Sequence, residues 1–318
     1  MRVLLAIDGS SCSDAAVQLV AGLAWPVGTS ILVLAVEEPL PSSMVGLAPF
    51  PAALDGGGPD LTESLRSALA DAVARLEAPG RGVESRLIQG RAGTVIVQQA
   101  ERHHADLVVV GSRGLGPIGA MVMGSVSAEV VDHAPCAVLV ARGTSVDRVL
   151  LAVDGSATSW RAIEHVSGLG YLSDKPFEVI AVEPRGPMPM PVMPGGIGDT
   201  TLADDAGLLG EAHRRAQTVA AQAAQRLGQD GIPAEWSVEV GDPALEIIRA
   251  ARVRGCDLIA VGSRGQTGLR RLLVGSVARN VLMHAGTSVL VVREPVRRHA
   301  HRPDHAHRMA EIAMAASA

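Results

Sequence analysis

The chain has 318 residues, enough for two domains of ordinary size, and its 47% apolar content is that of a globular protein with a sizeable core. Aromatics make up only 2%, so Ala, Val and Leu must build that core, and the basic–aromatic interleaving used by nucleic-acid readers is missing. A net charge of −5 excludes a global attraction to nucleic acid or an anionic membrane, and no run approaches the ~18 uninterrupted apolar residues of a membrane span.

In chain order, residues 3–8 are an apolar run ending in Asp8-Gly9-Ser10, the pattern of a strand buried on both faces of a parallel sheet. It is too short for a signal peptide. Residues 13–24 have helical spacing, with Ser13 or Asp14 as the start. A strand follows at 31–36, then a long loop over 37–60 with five prolines, then an amphipathic helix over 61–77. Residues 83–88, 107–110 and 136–140 read as strands, and 93–103 and 126–133 as helices.

The same order then returns. Val3-Leu-Leu-Ala-Ile-Asp-Gly-Ser10 recurs as Val149-Leu-Leu-Ala-Val-Asp-Gly-Ser156, an offset of 146 (149 − 3). Second-half strands are expected near 149–153, 177–182, 234–240, 258–261 and 288–292, with a second long loop over 183–200. This is duplication of a whole domain: residues 1–143 and 144–294, followed by a His-rich tail over 295–318. Strands alternating with helices predict parallel βαβ units, with a ligand site beyond the strand C-termini.

The stretch carrying the chemistry is Gly111-Ser-Arg-Gly114, nine residues, then Gly124-Ser125. It recurs as Gly262-Ser-Arg-Gly265, nine residues, then Gly275-Ser276. The offset here is 151 (262 − 111), so five extra residues lie between first strand and glycine loop of the second half. Each copy stands between a strand and a helix start. Glycines let the backbone approach a phosphate, and free N–H groups at a helix N-terminus bind it. Ser125 and Ser276 stand where an N-cap is expected.

These residues resemble the universal stress protein family in its tandem form. Gly-x2-Gly-x9-Gly-Ser matches that family's ATP-binding signature in both halves, and the first strands ending in Asp-Gly-Ser and the closing strands Pro135-Cys-Ala-Val-Leu-Val and Thr287-Ser-Val-Leu-Val-Val match with it. The resemblance implies an α/β fold of two tandem domains. Each would be a five-stranded parallel sheet of order 3-2-1-4-5 with helices on both faces, the last strands of the two halves paired. It implies ATP as ligand. Ala6, Ile7 and Asp8 would flank the adenosine, Val36 the adenine, and Val110, Gly111 and Gly114 the ribose and first phosphates. Gly124, Ser125, Val126 and Ser127 would hold the outer phosphates. The matching set is Ala152, Val153, Asp154, Val182, Val261, Gly262, Gly265, Gly275, Ser276 and Val277. Asp8 and Asp154 are the candidates for Mg²⁺ held through the nucleotide. Ala278 replaces Ser127 in the second copy, and Arg270 and Arg271 enter the second loop, so two sites of unequal affinity are expected.

Catalysis has less support. The one lysine, Lys175, lies in no glycine loop, so this is not a Walker A motif, and no general base is placed to orient a water. The expected function is nucleotide binding in a stress or regulatory protein with an unidentified protein partner. A slow ATPase or autophosphorylating protein, and a nucleotide-free interaction module, are the alternatives. A homodimer is a further arrangement.

Several features have plainer readings. Asp8 and Asp154 could be helix caps, Arg113 and Arg264 surface ion-pair formers, and His103-His104 a helix end. Cys12, Cys136 and Cys256, three and without CxxC, fit a reducing cytoplasm and no disulfide framework. The tail's His299, His301, His305 and His307 read as a solvated segment, and Met188, Met190 and Met193 as part of a loop.

Overall fold

Alternating apolar runs and amphipathic helices become alternating strands and helices in the computed structural model, which describes residues 1–38, 61–114, 123–168, 170–184, 201–265 and 274–293. The long loops, the interior of both glycine loops with Arg270 and Arg271, the Met run and the His-rich tail lie outside the described residues.

The first half runs β1 (Arg2–Ile7), α1 (Ser11–Gly22), β2 (Ser30–Glu37), α2 (Leu61–Leu76), β3 (Gly82–Gln89), α3 (Ala92–Arg102), β4 (Leu107–Gly111), α4 (Ser125–His133) and β5 (Ala137–Ala141). The second half repeats it: β6 (Val149–Val153), α5 (Ala157–Gly168), β7 (Phe177–Pro184), α6 (Thr201–Gln229), β8 (Ala234–Gly241), α7 (Pro243–Val253), β9 (Leu258–Gly262), α8 (Ser276–His284) and β10 (Ser288–Val292). The five-residue excess falls between β7 and β8, where α6 is 29 residues long against 16 for α2.

The strands form one ten-stranded sheet, β3-β2-β1-β4-β5-β10-β9-β6-β7-β8. The expected pairing of the two last strands thus merges the two five-stranded sheets into one. Each half keeps its parallel 3-2-1-4-5 order, but β5 and β10 join antiparallel, with Val140 opposite Val289 and Val138 opposite Val291. The reason is in the sequences. Both last strands, AVLVA and SVLVV, are fully buried and carry no charge, so neither suits an exposed edge. The true edges, β3 and β8, carry Glu84, Arg86, Glu235 and Glu239.

Period-two alternation splits the strand side chains between two cores, one on each sheet face. Val3, Leu5 and Ile7 point to the face covered by α1, α2, α5 and α6. Leu4 and Ala6 point to the face covered by α3, α4, α7 and α8. Both cores run without interruption from one domain into the other.

Charges lock the junction. The half-buried Arg142 guanidinium, just after β5, donates to the carbonyls of Thr287 (3.2 Å) and Leu282. Its counterpart after β10, Arg293, donates to the Val131 carbonyl (2.5 Å). Each arginine thus meets the negative C-terminal end of a helix in the other domain, α8 or α4. Arg279 adds an ion pair to Asp132 (2.6 Å).

Candidate nucleotide-binding clefts

β1 ends at Ile7, and the chain turns at Gly9, whose φ of +77° demands glycine. Asp8 closes this turn, its Oδ1 accepting the Ser10 N–H at 3.0 Å. Ser10, not Ser13 or Asp14, caps α1: its Oγ accepts the Ser13 N–H at 3.2 Å. The second half builds the same turn, with Gly155 at +77°, Asp154 Oδ1 accepting from Ser156 (2.9 Å) and Ser156 Oγ accepting from Ser159 (3.2 Å). The aspartates are therefore turn closers, and the neighbouring serines do the capping.

The glycines of the loop divide by task. A Cβ on Gly111 would stand 2.9 Å from the Cys12 backbone, and one on Gly262 would stand 2.8 Å from the Thr158 backbone. These two are small so that β4 and β9 can pack against the start of α1 and α5. Gly114 and Gly265 face the carboxylates instead: a Cβ on Gly114 would collide with Asp8 Oδ2, and one on Gly265 would lie 2.9 Å from Asp154 Oδ2.

At the other end of the loop, Gly124 and Gly275 are the N-caps, so Ser125 and Ser276 are the first helical residues rather than caps. Neither cap has a side chain to satisfy the first turn. The first intrahelical bonds are Ala128 N–H to Gly124 (3.0 Å) and Arg279 N–H to Gly275 (2.9 Å). The N–H groups of 125–127 and 276–278 therefore have no intrahelical acceptor and sit at the positive end of the dipole. Buried Ser127 departs from expectation: its hydroxyl donates to the Gly111 carbonyl at 2.7 Å, so its proton braces β4 and is not free for a phosphate.

These parts line two cavities at the C-terminal ends of the strands. The first, of about 390 Å³, is lined by all of Ala6, Ile7, Asp8, Val36, Val110, Gly111, Gly114, Gly124, Ser125, Val126 and Ser127. The second, of about 860 Å³, is lined by all of Ala152, Val153, Asp154, Val182, Val261, Gly262, Gly265, Gly275, Ser276 and Val277. Both volumes are those of ligand pockets. Sequence reasoning missed the helical wall: Leu61 and Leu65 of α2 and Ile96 of α3 in the first, Glu211, Ala212, Arg215 and Ala216 of α6 in the second. The long loops separate α2 and α6 from the motifs, so only alignment of the two halves could have pointed to them.

Arg113 and Arg264 also line the cavities and form no ion pair with another described residue. Arg113 instead lies near Arg142, whose pKa is lowered by burial and then by this like charge. Lys175 pairs with Asp174 (3.1 Å) and lines neither cavity. Among the described residues no cluster of three metal-ligating side chains occurs, and no helix is long and apolar enough to cross a membrane.

The family model described as "Universal stress protein family" matches this chain twice, over residues 1–142 and 145–293. A universal stress protein of Mycolicibacterium smegmatis is 27% identical over 309 residues, covering 92% of this chain and 96% of that one. One from Thermus aquaticus is 35% identical over 147 residues, 44% of this chain and 97% of its own. A universal stress protein structure from Archaeoglobus fulgidus superposes with TM-score 0.60 at 21% identity, covering 92% of this chain and 98% of that one, a likeness of fold. The doubled match and the doubled architecture agree: this chain belongs to the universal stress protein family, as a tandem of two such domains.

Proposed function

We propose that the chain is a regulatory ATP-binding protein that holds one adenine nucleotide in each cleft, with little or no hydrolysis. The observation that carries this reading is the free first turn of α4 and α8 at one end of a cavity whose other end is walled by Val36 or Val182. Main-chain N–H groups and a helix dipole bind an anion without a dedicated cation. The apolar far end suits a base, and the carboxylate at the end of β1 or β6 suits ribose hydroxyls.

The residues fit the nucleotide better than they fit a phosphoryl-transfer site. Mg²⁺ would rest on one Asp8 or Asp154 carboxylate together with phosphate and water, since the other oxygen of each already accepts a backbone N–H. Among the described residues, Arg113 or Arg264 is the one cationic side chain at the glycine-loop end of each cavity, short of the charges on several sides that rapid transfer requires. Bound nucleotide would act by biasing the protein's conformation or its choice of a protein partner.

Equilibrium dialysis of the purified chain against ATP tests this. Saturable binding of up to two per chain is expected, with loss in Gly114→Glu plus Gly265→Glu protein of unchanged circular dichroism. Folded wild-type protein without saturable binding would refute the reading.

A further inference from the structure

The two clefts differ most at the wall away from the phosphate-type helix, and the difference is built into one helix. α4 follows β4, whereas α2 packs on β2 and β3, so α2 borders the opposite end of the cavity. There it presents Leu61 and Leu65. At the corresponding positions, 151 residues on (212 − 61), α6 presents Ala212 and Ala216. Two isobutyl groups become methyls, which is part of the difference between a first cavity of about 390 Å³ and a second of about 860 Å³.

The polar edge changes as well. Arg215 of α6 lines the second cavity where the first half has Ser64, and Glu211 joins it one turn earlier. Neither has an ion-pair partner among the described residues. In the first cavity the same end holds Glu38, whose carboxylate is committed to the Ala92 N–H at the start of α3 (2.6 Å). In the second, Pro184 stands at that place and brings no carboxylate, while Asp242 caps α7 through the Leu245 N–H (3.0 Å).

Resting on the nucleotide reading above, we propose that the second cleft takes a nucleotide enlarged at its nucleoside end by a group of aryl or nucleoside size, while the first admits only the unenlarged nucleotide. Ala212 and Ala216 make the room, and Arg215 and Glu211 supply a donor and an acceptor for polar atoms of the added group.

Two probes separate the cases: ATP, and ATP carrying an N-methylanthraniloyl group on its ribose. Wild-type protein should bind two ATP per chain but one tagged ATP. Ala212→Leu plus Ala216→Leu should lower the affinity of the second cleft for tagged ATP, relative to ATP, at least tenfold. Both positions are outside the fully buried core and on a helix, so the variant should fold. Leu61→Ala, at a half-exposed position, should raise tagged binding at the first cleft. Two tagged equivalents of equal affinity in the wild type, or an unchanged affinity ratio in the double-leucine variant, would overturn this proposal alone. Absence of ATP binding in the wild type would overturn the nucleotide reading beneath it.

Discussion

Trp25 of the first domain stacks on Tyr171 of the second, with ring centroids 5.2 Å apart and planes 23° from parallel. The Trp25 indole N–H donates to the Val20 carbonyl (2.7 Å), which fixes the ring at the end of α1. Tyr171 is fully buried, and its hydroxyl finds His165 Nε2 at 3.1 Å. In a chain with so few aromatics, these two weld the domains on the sheet face opposite α4 and α8.

Tyr171→Ala should therefore cost about 3–5 kcal/mol of stability, the usual loss for a buried aromatic. A double-mutant cycle with Trp25→Ala should return a coupling of about 0.5–1.5 kcal/mol. Urea unfolding followed by circular dichroism measures both. A coupling near zero would mean that the stacking adds nothing beyond area.

His165 sets an acid limit. Burial pushes its pKa down to about 4, weakly opposed by Asp106. The folded state favours the neutral ring, so its contribution is complete above the unfolded pKa near 6.5 and is lost as pH falls from there towards 4. The loss should be on the order of 2–3 kcal/mol. Comparing the urea midpoints of wild type and His165→Gln at pH 7 and 4.5 isolates it from the carboxylates: the variant should show the weaker pH dependence.

Ser127→Ala should remove one neutral hydrogen bond, lowering stability by about 1 kcal/mol. Because that hydroxyl proton already belongs to the Gly111 carbonyl, affinity for ATP should change less than twofold. A tenfold weakening in a two-site titration would restore Ser127 as a direct phosphate ligand.

Cys136 and Cys256 should resist alkylation by iodoacetamide at pH 8 in folded protein. Burial raises their pKa values to about 12 and about 11, and the thiolate is the reactive form. Mass spectrometry before and after urea treatment reads this directly, with labelling of both expected only after unfolding.

Much of the fold was legible because the duplicated chain repeats each signal. The strands over 149–153 and 288–292 have the bounds their sequences suggest. Local capping was read less well. Ser10 outcompeted Ser13 and Asp14 because Ser13 bonds back to it, its hydroxyl to the Ser10 carbonyl at 2.9 Å, and so takes the N3 position of the cap. Gly124 and Gly275 cap without side chains, which no cap preference for serine could reveal. The glycine spacing marked residues that line both cavities, but not that Gly111 and Gly262 answer to backbone packing. That distinction depends on distances between segments a hundred residues apart. The joining of the sheets through their last strands was expected from the resemblance, and the absence of charge in those strands supplies its physical reason.

The antiparallel seam between β5 and β10 has a bearing on how the molecule assembles. A single domain of this kind would need a second chain to cover its closing strand, and its pairing would weaken on dilution. Here the segment between Ala141 and Val149 tethers the two halves, turning that encounter into a unimolecular one. Two clefts with different walls can then evolve in fixed one-to-one company, at any concentration the cell allows.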